Sequence, residues 1–371
     1  MTDFNTTAVG NFAVNGLIKS VIAAEAGSGG KQGFDFVVPE SYQYFYNELL
    51  TFYLTHPQIR IRHIMAFSKK TDFLNNLNRN LDLLSHVLPF AFAPATGYFP
   101  YYYYSNSLGV ELTQAMPYFI LTSSNTLVLI NKEFSKAALI CDESIVDLYK
   151  ESFSMMLEHA KPLINYFANA NELLVHLLDT DLKDTGEPYH WIEPEPCIGP
   201  MIPQEMIENH VSHDLPDRDS IVRMMNAHCQ FLRNNQLRNV NICTTDGLYH
   251  LINSGYIYQA SKELMTPLGR DEIKGLLCIL CNRISEKKVK ILFTNPSKIT
   301  VPGKTLLSIN RKTGLNFMLH NSDIFDFRAI CLSEDTINEA FTDFIESIED
   351  SGLVYSENDS VETLSRIISE I

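Results

Sequence analysis

Residues 270–295, RDEIKGLLCILCNRISEKKVKILFTN, read as a helix, a short charged turn and a strand. Residues 39–67, PESYQYFYNELLTFYLTHPQIRIRHIMAF, read the same way, and each stretch sets about 17 helical residues before a strand of similar reach. A second pair follows. CDESIVDLYKESFSMML (141–157) is mirrored by CLSEDTINEAFTDFIESI (331–348), each a cysteine at a strand end, an acidic cap and an amphipathic helix. The offset is about 230 residues for the first pair and about 190 for the second, which assigns roughly 40 extra residues to the first half. Two similar α/β units, each needing a partner layer to bury its apolar face, account for this self-similarity.

Working outward, residues 1–33 are small and polar and close on Gly27-Ser28-Gly29-Gly30, so a short helix (about 12–25) and a flexible linker are expected. The first α/β unit then spans 34–180. Its expected parts are the two elements above, a helix over LNNLNRNLDLLSHVLPFAF, an aromatic loop GYFPYYYYSNSLG, strands at YFILTS and TLVLIN, and a helix over about 144–169. Residues 181–265 form an acidic, proline-rich connection, DTDLKDTGEPYHWIEPEPCIGPMIPQ at its start, and a helical patch from Ser220 to about Asn234. A capped segment, Thr244-Thr245-Asp246 before GLYHLINSG, precedes the second unit, 266–371.

The composition supports a globular chain: of 371 residues 45% are hydrophobic and 20% charged. A net charge of −15 sets up a field that opposes docking on phosphate backbones or anionic lipid, so neither DNA nor a membrane is an expected partner. Seven scattered cysteines, an odd number, read as reduced thiols of a cytoplasmic protein. The N-terminus is acidic where a signal peptide is basic, and Asn15, Gly16 and Lys19 break its apolar stretch.

Several residue groups invite a chemical reading. His159 and Lys161 form the only His-x-Lys of the chain, but Tyr166 stands where a duplicated phosphodiesterase would carry its Asp, and the second half has no such pair. Cys278 and Cys281 have CxxC spacing inside an apolar helix with no second pair, and read as buried thiols. His210, His213 and Asp214 read as a solvated loop. On the strand at 59–65, His63 falls on the apolar face, as a hydrogen-bonded core residue or a ligand contact. Arg60 and Arg62 fall on the other, either holding a carboxylate or phosphate or pairing with neighbouring acids. Tyr98, Phe99, Tyr101, Tyr102, Tyr103 and Tyr104 make an aromatic run, part of which can be a buried strand; as a loop it lines an effector pocket or a homodimer seam. No glycine-rich phosphate loop, Gly-x-Ser-x-Gly or His-Glu-x-x-His is present, so no catalytic residue, metal site or cofactor is expected.

The stretch TSSNTLVLINKEFSKAALICDESIVDLYKESFSMMLEHAKPLI resembles the sensor regions of bacterial transcriptional regulators, in which a strand pair runs into an acidic cap and a helix. LRNNQLRNVNICTTDGLYHLINSGYI and EAFTDFIESIEDSGLVYSENDSVETLSRII resemble the C-terminal portion of helix-turn-helix regulators from low-GC Gram-positive bacteria. The resemblance covers most of 34–371 and implies a catalytically dead, duplicated phospholipase D-like fold. It implies a non-enzymatic, effector-binding module of a regulator, a homodimer answering to a small molecule or a protein. The first 33 residues are too short and glycine-rich for a helix-turn-helix, so this chain is expected to lack its DNA reader. The rival expectations are a phospholipase D-like phosphodiesterase and a structural scaffold.

Overall fold

The computed structural model describes residues 6–29, 32–68, 79–93, 97–104, 118–181, 186–234, 239–258, 260, 262, 264–301, 305–321 and 326–371. The chain divides into two compact units at Ile164/Asn165.

The first unit runs β1 (Thr6–Val9), α1 (Asn11–Ala26), β2 (Gly33–Val37), α2 (Gln43–Thr55), β3 (Arg60–Phe67), α3 (Arg79–Ala91), β4 (Tyr98–Tyr104), β5 (Tyr118–Thr122), β6 (Leu127–Ile130), β7 (Lys136–Ile140), α4 (Glu143–His159) and β8 (Lys161–Pro162). Its sheet order is β1-β7-β6-β5-β2-β3-β4-β8. β2, β3 and β4 are parallel, joined through α2 and α3, and β5, β6 and β7 form an antiparallel meander. Asp142 starts α4 by accepting from the N–H groups of Ser144 and Ile145, and the helix ends at His159, ahead of Pro162, ten residues short of the expected end.

The second unit runs β9 (Ile164–Phe167), α5 (Ala170–Asp181), β10 (His190–Ile192), α6 (Gln204–His210), α7 (Arg218–Asn234), β11 (Asn239–Cys243), α8 (Thr245–Ser254), α9 (Arg270–Ser285), β12 (Val289–Phe293), β13 (Thr305–Asn310), β14 (Gly314–Asn321), β15 (Asp326–Leu332), α10 (Asp335–Ser347) and α11 (Glu357–Glu370). Its sheet order is β12-β11-β10-β13-β14-β15-β9. Again three parallel strands, β10, β11 and β12, adjoin an antiparallel meander, β13 to β15. Thr244 caps α8 through Gly247 N–H, as its sequence announces. Gly247 is required there: a Cβ would lie 2.0 Å from the Pro194 carbonyl oxygen.

The duplication therefore holds at the level of strand order, but its register differs from the sequence expectation. β3 is the central parallel strand of its unit and β12 the outermost, so 39–67 and 270–295 are not counterparts. The counterparts of α9 and β12 are α3 and β4, each 191 residues earlier, while α10 follows α4 by 192. With that pairing the offset stays near 190 through the second half of each unit. The extra length belongs to the second unit, where β11 trails β3 by 179 and β10 trails β2 by only 157. The aromatic run is accordingly no insertion. Residues 98–104 are β4, and 105–109 lie outside the described residues.

Two boundary expectations also change. The helix expected over about 12–25 is present as α1, but 6–26 stands inside the first unit rather than outside it: β1 pairs with β7, and α1 buries Val14, Ile18, Val21 and Ile22. Residues 181–265 are not an intervening connection but belong to the second unit, with the helical patch present as α7, the crossover from β10 to β11. Every residue from Tyr189 to Ile202 is buried except the half-buried Ile192. The charge and prolines of EPEPCIGP suggested a solvated loop, but the carboxylates there are held by internal hydrogen bonds, which is what allows a charged sequence to be buried.

Candidate functional site

The eight residues singled out in the first half, Arg60, Arg62, His63, Tyr98 and Tyr101 to Tyr104, lie on two adjacent strands, with Ile61 opposite Tyr98 and Phe67 opposite Tyr104. Strand alternation divides them between opposite faces of the sheet, so they do not make one site. His63 and Tyr98 lie under α2 and α3. His63 is fully buried, stacked on Phe36 at 4.3 Å, with Nδ1 3.0 Å from the Tyr98 hydroxyl and Nε2 3.1 Å from that of Tyr46. Because the Tyr46 hydroxyl donates to the Val38 carbonyl, it accepts from Nε2–H, and Tyr98 donates to Nδ1. That chain needs a neutral imidazole, and burial lowers the His63 pKa to about 3. His63 is thus the hydrogen-bonded core histidine of the two expectations.

Arg62 and Tyr103 lie on the face covered by α4. Arg62 makes a two-pronged ion pair with Asp35, Nε to Oδ1 at 2.7 Å and Nη2 to Oδ2, and its guanidinium stands 5.2 Å from the centre of the Phe153 ring. The Asp35 contact raises the Arg62 pKa and takes up the fork that an anionic ligand would need. Arg60, exposed, stands with Arg62, Lys150 and Ser154 around a cleft of about 310 Å³. Tyr103 is 4% exposed and packs with Ile64, Phe119 and Phe153, so this ring is core. Tyr101 and Tyr104 are half-buried, while Phe99 is the most exposed member at 38%.

The second unit holds a site that the sequence reading passed over. Between its sheet and the helices α5 and α7 lies a pocket of about 140 Å³. Its floor is a row of directly opposed residues across three strands, Trp191, Ser308 and Asn316, with Leu306 and Met318 in the next row. Its roof is Leu173, Leu174 and Leu177 of α5 and Met225, His228, Cys229 and Leu232 of α7. The α7 residues fall at i, i+3, i+4 and i+7, one helical stripe, and that spacing is the signal that could have marked the site in the sequence. Few polar groups enter. Asn316, 5% exposed, donates from Nδ2 to Ser308 Oγ at 3.4 Å, and its Oδ1 has no partner among the described residues. His228 Nδ1 lies 2.7 Å from Oδ2 of the buried Asp181. An Asp-His pair beside a cysteine suggests a nucleophile, but burial pushes the Cys229 thiol up to about 11, which leaves it protonated and inert at neutral pH.

α/β folds place their chemistry outside the carboxyl ends of the parallel strands. In the first unit that end carries the Arg79–Glu40 ion pair, 3.4 Å, and Tyr103, whose hydroxyl burial raises to about 12. In the second it carries Glu193, bonded by Asn241 Nδ2 at 2.7 Å, and Glu195, bonded by Tyr258 N–H. Burial, reinforced by Glu193, holds the Glu195 carboxyl well above its ordinary range. His159 ends α4 as an exposed residue, its Nδ1 2.8 Å from the Met155 carbonyl. His210 belongs to α6, not to a loop, with Nε2 3.0 Å from Glu272 Oε1. All seven cysteines are free. Cys278 is exposed rather than buried, because the inward stripe of α9 is Ile273, Leu276, Leu277, Leu280 and Ile284. Among the described residues no helix is long and apolar enough to cross a membrane, and no cluster of His, Cys, Asp and Glu could hold a metal ion.

The chain matches no protein-family model and no curated protein. Among solved structures it is similar to a phospholipase D family member, Nuc from Salmonella typhimurium, at 9% identity and a TM-score of 0.31 over 43% of this chain and 98% of that one. A phosphatidylserine synthase from Haemophilus influenzae matches at 11% identity and a TM-score of 0.30 over 99% and 92%. The archaeal chromatin protein TrmBL2 matches at 9% identity and 0.29 over 43% and 55%, so this chain spans about half the length of that protein. At these scores the likeness assigns no activity.

Proposed function

We propose that the chain is a non-catalytic ligand-sensing module, the effector-binding part of a bacterial transcriptional regulator, cytoplasmic and homodimeric. The observation that carries the reading is the pocket under α5 and α7. It is mainly aliphatic and aromatic with a few placed polar groups, the usual make-up of a small-molecule site. The net charge of −15 supports an indirect relation to DNA. The phosphodiesterase alternative needs a histidine nucleophile and a lysine in one cleft, and His159 and His63 are each placed otherwise.

The test is a thermal melt of the full chain against a panel of small apolar compounds. A ligand that binds only the folded state stabilises it by about 2.7 kcal/mol at one hundred times its Kd, several degrees for a unit of this size. A concentration-dependent rise, without turnover of a chromogenic phosphodiester, is expected. Turnover of that substrate, or a flat melting temperature across the panel, sinks the proposal.

A further inference from the structure

We infer that the pocket of the second unit selects a small, neutral, mainly apolar ring compound bearing one hydrogen-bond donor, a hydroxyl or ring N–H, which it reads through Oδ1 of Asn316. This deepens the ligand-sensing proposal and rests on it.

Size is the first argument. At about 140 Å³ the pocket is close to the engineered cavity of roughly 150 Å³ in another protein that stays dry and takes up benzene. A single ring with one or two substituents fits; a lipid chain or a nucleotide does not. The walls supply the second: aliphatic side chains of α5 and α7 above and Trp191 and Met318 below offer dispersion and area, and the one basic or acidic side chain among the described lining residues, His228, is already committed to Asp181. A charged amine or a carboxylate would lose its hydration on entry and find no uncommitted counter-ion among the described lining residues, so the occupant is neutral.

Polarity at one point is the third. Asn316 stands in the middle of the sheet, 5% exposed, with its Nδ2 committed to Ser308 Oγ and Oδ1 lacking a partner among the described residues. Buried acceptors are nearly always satisfied, and one without a partner on a side chain that lines a cavity marks where a donor belongs. A carbonyl, ether or halogen at that point would set acceptor against acceptor. A hydroxyl or N–H completes the amide. A site built around a hydrogen bond to the ligand also rejects the analogue that lacks the donor more strongly than an apolar wall rejects a missing methyl group.

Phenol and toluene, of equal heavy-atom count, serve as the probes, with fluorobenzene as a third ring lacking a donor. Toluene is the more hydrophobic, so a pocket that reads area alone prefers it. Titration calorimetry on the full chain is expected to give phenol binding at least as tight as toluene. In Asn316→Leu the ratio of the two dissociation constants should move about tenfold in favour of toluene, which corresponds to about 1.4 kcal/mol. If the variant does not fold, the wild-type ranking decides. Toluene and fluorobenzene ahead of phenol overturns the inference while leaving an apolar ligand-binding module in place. No binding of any of the three overturns both.

Discussion

The two units solve the same packing problem differently. Their sheets share one strand order, and in each the crossover helices cover one sheet face. In the first unit the layer beneath α2 and α3 is filled with rings: Phe36, Phe45, Tyr46, Tyr53, Phe90, Tyr98 and His63, neighbouring centroids mostly 4 to 6 Å apart. In the second, the layer beneath α5 and α7 sets Leu, Met and Cys side chains over Trp191, around a pocket of about 140 Å³. The first unit thus packs rings beneath α2 and α3, and the second leaves a pocket beneath α5 and α7. Rings that stack and exchange hydrogen bonds fill the space between helix and sheet, whereas the aliphatic side chains of α5 and α7, the counterparts of α1 and α2, stand over a pocket.

The largest expected effect tests the solid side. Phe36→Ala removes a fully buried ring that stacks on His63 and meets Phe45 edge-on, and should cost about 3–5 kcal/mol in urea denaturation. A loss below about 1 kcal/mol would mean that this layer is as loose as its counterpart.

Next comes pH. The folded pKa of His63 is about 3 against an ordinary value of 6.5. Folding therefore depends on a neutral ring, and its stability is fully present above about 6.5 and declines as pH falls toward 3. The unfolded chain takes up a proton that the folded chain refuses, at about 1.4 kcal/mol per pH unit, or roughly 3 kcal/mol by pH 4.5. Urea midpoints followed from pH 7 to pH 4.5 should fall more steeply for wild type than for His63→Gln. Parallel profiles would show that His63 is protonated in the fold.

The smallest effects give the sharpest contrast. Leu49→Phe, at a fully buried position of α2, should cost about 1–3 kcal/mol by overpacking. Cys229→Leu on α7 adds bulk that the pocket can absorb, and should change stability by less than about 1 kcal/mol while weakening apolar ligands at least tenfold. Equal costs at the two positions would erase the distinction between the copies.

How much of this was legible depends on the range of the interaction. The α4 and α10 pair was readable because cap and amphipathic stripe lie within one stretch of chain, and the same holds for Thr244 before α8. The register of the repeat was not. A helix followed by a strand looks alike at each step of a parallel sheet, and only the pairing of β3 with both β2 and β4 shows that it is central. The aromatic run leaves loop and buried strand both open in the sequence, because tyrosines carry polar tips on large apolar rings. In the sheet one such tip, that of Tyr98, meets His63, and another, that of Tyr103, is buried without a hydrogen-bond partner among the described residues.

By itself the sequence determined the two-unit α/β plan and the caps that begin its helices, because each follows from local periodicity, and it left His63 between a core residue and a ligand contact. Tertiary structure alone decided that Tyr189 to Ile202 is buried, that Arg62 is occupied by Asp35, and that Trp191, Ser308 and Asn316 line up beneath α7. Those facts depend on distant residues meeting across strands, Asp35 with Arg62, 27 positions apart, and Trp191 with Ser308, 117 apart. Whether a carboxylate or an amide can be buried is settled by the partner that the fold brings to it, and that partner is not written beside it in the chain.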